Sequence, residues 1–108
     1  MNLSDYQKEI HAVATSKGWW DSERSLLELF ALMHSELSEA VESWRNGEEP
    51  CFVRDGSDKP EGWGTELADC IIRILDVAEH FGLNMDGLIR RKMLYNLTRE
   101  HRQGGKLA

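Results

Sequence analysis

The sequence predicts an all-α fold in a single domain, and three observations carry that prediction. Apolar residues recur at spacings of three and four through long runs. Nothing alternates with period two for long enough to build a sheet. Both prolines, Pro50 and Pro60, fall in the stretch 47–64, which also holds four of the nine glycines, so the main break in the chain lies there. A chain of 108 residues is too short for two ordinary cores, so 1–108 reads as one domain.

Four helices follow in order. Ser4 and Gln7 have the spacing of a capping box and open a first helix that runs to about Lys17. Asp21 or Ser22 caps a second, which reaches about Arg45 and stops at Asn46-Gly47. Along it Leu26, Phe30, Met33, Leu37, Ala40, Val41 and Trp44 make one stripe, which reads as core. The third helix begins between Glu61 and Thr65 and ends near Gly82. Its apolar residues Leu67, Cys70, Ile71, Ile74, Leu75, Ala78 and Phe81 spread over far more than a third of the circumference, so cover on two sides is expected. A partner subunit is one source of the second cover. Asn84 caps a fourth helix that runs to about His101, before Gly104-Gly105.

Composition narrows the function. Thirteen Lys and Arg against nineteen Asp and Glu give a net charge of −6, which offers no general attraction to a nucleic-acid backbone. With 41% hydrophobic and 30% charged residues, the chain is not an extended disordered tail. The segment Met1–His11 is polar and acidic, and no run approaches a membrane span, so the expected location is the cytoplasm with no membrane contact. Cys51 and Cys70 are not spaced as a zinc site and read as reduced, Cys70 as a small buried thiol. His11, His34, His80 and His101 show no ligand pairing in the sequence.

Carboxylates stand where the pattern does not expect them. At 100° per residue Glu36 lies about 80° from the centre of the apolar stripe, at the edge of the expected core. Glu39 follows one turn on, and spacing of three brings the two Cβ atoms within about 5–6 Å. Glu66 and Asp69 repeat the spacing on the third helix, with Asp76 two turns beyond Asp69 on the same side. If the two helices pack antiparallel, the pairs face each other and form a cage of four carboxylates. Such a cage suits Mg²⁺, a hard ion that keeps waters and completes its shell with substrate phosphate. Metal there neutralises phosphate charge and lowers the pKa of a water, which favours hydrolysis of a phosphoanhydride. The alternative is a solvated acidic face, the commonest reading of a single E-x-x-[ED] pair.

The pattern Glu36-x-x-Glu39, then 26 intervening residues, then Glu66-x-x-Asp69 resembles the ExxE…ExxD signature of the MazG-like all-α nucleoside triphosphate pyrophosphohydrolases. The segment from Lys92 to Arg99, with Lys92, Tyr95 and Asn96, is similar to the family's substrate-binding helix. The resemblance implies a four-helix, MazG-like bundle completed by oligomerisation, as a homodimer or homotetramer. It implies Mg²⁺, with Mn²⁺ as substitute, held by Glu36, Glu39, Glu66 and Asp69, and cleavage of (d)NTP to (d)NMP and pyrophosphate in house-cleaning or nucleotide-pool control. One glutamate of the first pair, Glu36 or Glu39, would orient the attacking water. Ser35 stands where many relatives carry another glutamate, which leaves the number of ions open; Asp76 is a substitute acid, or else pairs with Arg73 or His80.

Other residues are candidates for substrate contact. Lys92 and Asn96 lie four apart on one helix face, a cation for phosphate and an amide for base or sugar. Arg99, Arg102 and Lys106 suit either phosphate or a helix end. Trp63, between Gly62 and Gly64, is a base-stacking candidate on a segment with the composition of a mobile lid. Trp19-Trp20 offers further flat faces, whereas Trp44 and Tyr95 read as core. The competing function is a non-catalytic helical dimer that binds a protein partner through its apolar helix. A pyrimidine-specific diphosphatase acting on dUTP or dCTP shares the site and differs only in base contacts.

Overall fold

A computed structural model describes residues 1–99, and these form four helices and no strand. The expected ends at His101 and Gly104-Gly105, with Arg102 and Lys106, lie outside the described residues. Helix α1 spans Leu3–Ser16, α2 Leu26–Arg45, α3 Trp63–His80 and α4 Met85–Leu97.

The caps explain where each begins. At α1 the capping box is Asn2 with Asp5, not Ser4 with Gln7: the Asn2 side chain accepts from the Asp5 N–H at 2.9 Å, and Asp5 accepts from the Asn2 N–H at 3.1 Å. Gln7 is committed elsewhere. It is buried, and its Nε2 donates to Leu83 O at 2.6 Å and to Glu79 Oε1 at 3.1 Å, which ties α1 to the end of α3. At α2 the cap is Ser25, which accepts from the Glu28 N–H at 3.1 Å, rather than Asp21 or Ser22. Asn46 and Gly47, at φ 72°, end the helix as expected. Asn84 caps α4 through the Gly87 N–H. That helix stops at Leu97, with Thr98 as C-cap, a turn short of the expected end.

Helix α3 is central, packed by α2 on one side and α1 on another, while the main contact of α4 is with α1. Residue pairings run in opposite directions along α2 and α3: Leu29 neighbours Val77, the Cys70 thiol lies 3.7 Å from Met33 O, and Glu39 stands beside Glu66. The two helices are therefore antiparallel. The connection between them is folded back and latched. Phe52 and Glu61 exchange backbone hydrogen bonds of 3.0 and 2.8 Å, and Arg54 reaches both Glu48 and Glu61. The Gly64 N–H donates to Pro50 O at 2.8 Å, so the Gly62-Trp63-Gly64 segment is a pinned helix start rather than a free lid.

Of the stripe expected as the core of α2, only Ala40 is buried and Met33 half-buried in the single chain. Phe30, Leu37, Val41 and Trp44 are exposed, Trp44 by 69%, whereas Leu29, Glu36, Ala40 and Ser43 form the buried face. That face is centred about 80° round the helix from the stripe, and the two meet at Ala40. Glu36, expected at the edge of the core, is at the middle of the α2–α3 contact. Tyr95, expected as core, is exposed as well. The buried apolar set is small: Leu29, Ala40, Cys70, Leu75, Val77 and Ala78. Both cysteines are free, Cys70 buried and Cys51 exposed. No described helix is long and apolar enough to cross a membrane.

Candidate metal centre

The middle of the α2–α3 contact, where a helix pair normally places aliphatic side chains, holds carboxylates. Carboxylate oxygens of Glu36, Glu39 and Glu66 all lie within 4.8 Å of one another. Asp69, one turn after Glu66, is close enough for Glu36 and Glu39 to raise its pKa, with burial the larger cause and Arg73 and Lys59 opposing. The Glu66 carboxyl is pushed up from 4.5 to about 7, first by burial and then by the Glu39 carboxyl beside it, with Asp69 and Glu36 adding repulsion. Its Oε2 is buried without a hydrogen-bond partner.

Negative groups crowded in this way are unfavourable unless protons or a cation join them. Three facing carboxylates and an orphaned buried oxygen are a hard-oxygen donor set, which fits a divalent ion such as Mg²⁺. Glu36, Glu39 and Glu66 are thus brought together, while Asp69 stands near them but outside the group whose oxygens lie within 4.8 Å of one another. Ser35 is exposed on α2 outside this cluster.

A cavity of about 940 Å³ opens beside the carboxylates, within the size range of small-molecule sites. Glu36 and Asp69 line it at one end, Ile10 and Val13 of α1 supply an apolar wall, and Arg24 and Arg73 supply positive charge. Trp19, also on its wall, carries the Arg24 guanidinium 3.9 Å from its ring centroid and that of Arg73 at 5.0 Å. Arg73 in turn donates from Nε to Glu36 Oε1 at 2.6 Å.

Asp76 is partnered by neither Arg73 nor His80. It is buried and accepts from Trp20 Nε1 at 3.0 Å, and its Oδ1 lies 2.7 Å from His11 Nδ1. Trp20 stacks on His80 with centroids 3.7 Å apart, so its face is covered by that ring. The sequence hides this cluster because its members come from α1, the following turn and α3. The one available signal was His11 sharing the Gln7 face of α1, four residues on.

The substrate candidates are scattered. Trp63 is half-buried one turn before Glu66. Lys92 and Asn96 are exposed on α4, and the Lys92 ammonium and the Arg99 guanidinium lie 5.1 and 5.7 Å from the Tyr95 ring centroid. None of Trp63, Lys92, Asn96 and Arg99 lines the cavity. Comparison of the chain with family models, curated proteins and solved structures finds no match.

Proposed function

We infer that this chain is a Mg²⁺-dependent nucleoside triphosphate pyrophosphohydrolase of the MazG-like type, acting in the cytoplasm on free nucleotides. The observation that carries the reading is the juxtaposition of clustered glutamates with a cavity of nucleotide size that shares Glu36 with them and is also lined by Asp69. Glu36, Glu39, Glu66 and Asp69 would hold the ion. Mg²⁺ supplies neutralisation of phosphate charge and a more acidic water.

The chain's own residues do the rest. The apolar wall and Trp19 seat the nucleoside, and Arg24 draws the triphosphate in. Glu36 or Glu39 orients a water toward the α-phosphorus. The new P–O bond forms there as the bond to the β-bridging oxygen breaks. The monophosphate and pyrophosphate leave, and the water's proton passes to the carboxylate and then to solvent. Lys92 and Asn96 can serve as substrate contacts only if a second copy brings α4 to the site, which is consistent with a homodimer or homotetramer.

The test is pyrophosphate and orthophosphate release from a panel of canonical, deoxy- and damaged nucleoside triphosphates, with Mg²⁺ and with EDTA. Glu39→Gln is the preferred control, because Glu36→Gln would also strand the guanidinium of Arg73. Release of pyrophosphate only with metal, reduced about a hundredfold or more by Glu39→Gln, is expected. A folded protein that binds the ion and hydrolyses none of the panel would favour the non-catalytic module instead. The observation behind that second reading is the exposed apolar face of α2.

A further inference from the structure

Arg73 is placed at the seam between the carboxylates and the cavity. It projects from α3 one turn beyond Asp69, its side chain is 31% exposed, and its Nε donates to Glu36 Oε1 at 2.6 Å. Its guanidinium also lies 5.0 Å from the Trp19 ring centroid and lines the cavity. Among the described residues, this is the only ion pair made by Glu36, Glu39, Glu66 or Asp69.

A guanidinium and a divalent ion cannot both use the same edge of Glu36 without mutual repulsion. The ion carries twice the charge and draws on Glu39 and Glu66 as well. Once displaced, Arg73 has a long flexible stem, a planar fork of donors suited to phosphate, and open cavity beside it.

We propose that Arg73 is a cation-displaced phosphate arm: it occupies Glu36 while the carboxylates hold no divalent ion, and ion binding frees it to grip the substrate's phosphates in the cavity. This rests on the metal-site reading above and deepens it. Metal and nucleotide binding are then coupled through one side chain, because the ion releases the arm that the nucleotide needs. Nucleotide entering without the ion finds that arm held by Glu36.

Two measurements test it without recourse to turnover. The first observes the wild-type protein by NMR of arginine Nε–H groups during a Mg²⁺ titration. The Arg73 signal should move from a carboxylate-bonded to a free position with the ion alone, then shift again with a non-hydrolysable nucleoside triphosphate analogue. A signal that stays bonded to Glu36 when the ion is bound would overturn the proposal.

The second measurement compares Mn²⁺ affinity, followed by electron paramagnetic resonance, with analogue affinity in the wild type and Arg73→Met. Removing the arm should tighten Mn²⁺ about fivefold or more and weaken the analogue, in the presence of metal, by a similar factor. Arg73→Lys, which keeps a charge without the fork, should recover part of both effects. A merely structural Arg73 would leave the analogue affinity unchanged or lower both affinities together, which sinks the proposal. If the wild type binds no Mn²⁺ and Glu39→Gln changes nothing, the metal-site reading itself fails. If Mn²⁺ binds through Glu39 but is indifferent to Arg73, only the arm is lost.

Discussion

Glu66 makes the acidity of the cluster measurable. Its carboxyl is raised from 4.5 to about 7, so between those values the folded chain holds a proton that the unfolded chain has lost. Stability must then fall as pH rises through this interval, the reverse of a carboxylate whose pKa is lowered by a cation. Asp69, also raised, acts in the same direction. Without divalent ions, thermal melts from about pH 5 to about pH 8 should show a decline that flattens in Glu66→Gln; parallel curves would refute the assignment. Because an ion must displace that proton, Mg²⁺ affinity should weaken as pH drops below about 7, and calorimetry in buffers of different ionisation enthalpy should detect proton release. The cluster of Glu36, Glu39 and Glu66 was legible from the sequence because two short spacings on adjacent helices suffice to place it. Arg73 was not. Its polar neighbours within α3 suggested Asp76 as a partner, and only the antiparallel pairing of α2 and α3 brings it to Glu36.

At the scale of elements, the site depends on where α3 begins and on what holds α1 against it. Gly62 has φ 111°, and a Cβ there would collide with the carbonyls of Glu49 and Pro50. Glu66 is one turn away. Gly62→Ala should cost about 1–3 kcal/mol, and, by shifting the first turn of α3, should weaken Mn²⁺ binding more than a surface substitution of equal destabilisation. Urea unfolding and metal titration on the same variant separate the two effects. At the other end Asp76 joins α1, through His11, to Trp20 and α3. Asp76→Ala leaves the Trp20 N–H without its acceptor, so a loss of about 2–4 kcal/mol is expected from urea unfolding. If the residue were only a spare metal acid, stability would rise on its removal. The helix ends were partly legible: Asn46-Gly47 and Asn84 serve as their chemistry predicts. The starts of α1 and α2 were displaced because several residues nearby had cap chemistry, and tertiary demand on Gln7 decided between Asn2 and Ser4.

For the whole molecule, the periodicity of α2 and the burial seen in one chain disagree, and the disagreement itself is informative. Leu26, Phe30, Leu37, Val41 and Trp44 form a continuous apolar stripe, yet each is at least 45% exposed, and Leu67 and Ile71 of the adjacent α3 are exposed too. No large side chain is fully buried anywhere among the described residues. The radius of gyration is 16.7 Å, against about 13 Å for a compact chain of this length. A helix face of that breadth is unfavourable in water, and a second copy offers a matching face through a two-fold axis, where each apolar stripe covers the other. Such a dimer would also cover the side of α2 that adjoins Glu36, holding the carboxylates against their mutual repulsion. Sedimentation should therefore find a dimer or tetramer at micromolar concentration, with a melting temperature that rises with protein concentration. Val41→Glu, on the edge of the stripe furthest from the buried face, should shift the protein toward monomer and lower its melting temperature. It should also weaken Mn²⁺ binding, although it touches none of the four carboxylates. A wild-type monomer with a concentration-independent melting point would mean that the single chain is stable with this face exposed. The stripe would then have to be assigned to a different protein partner.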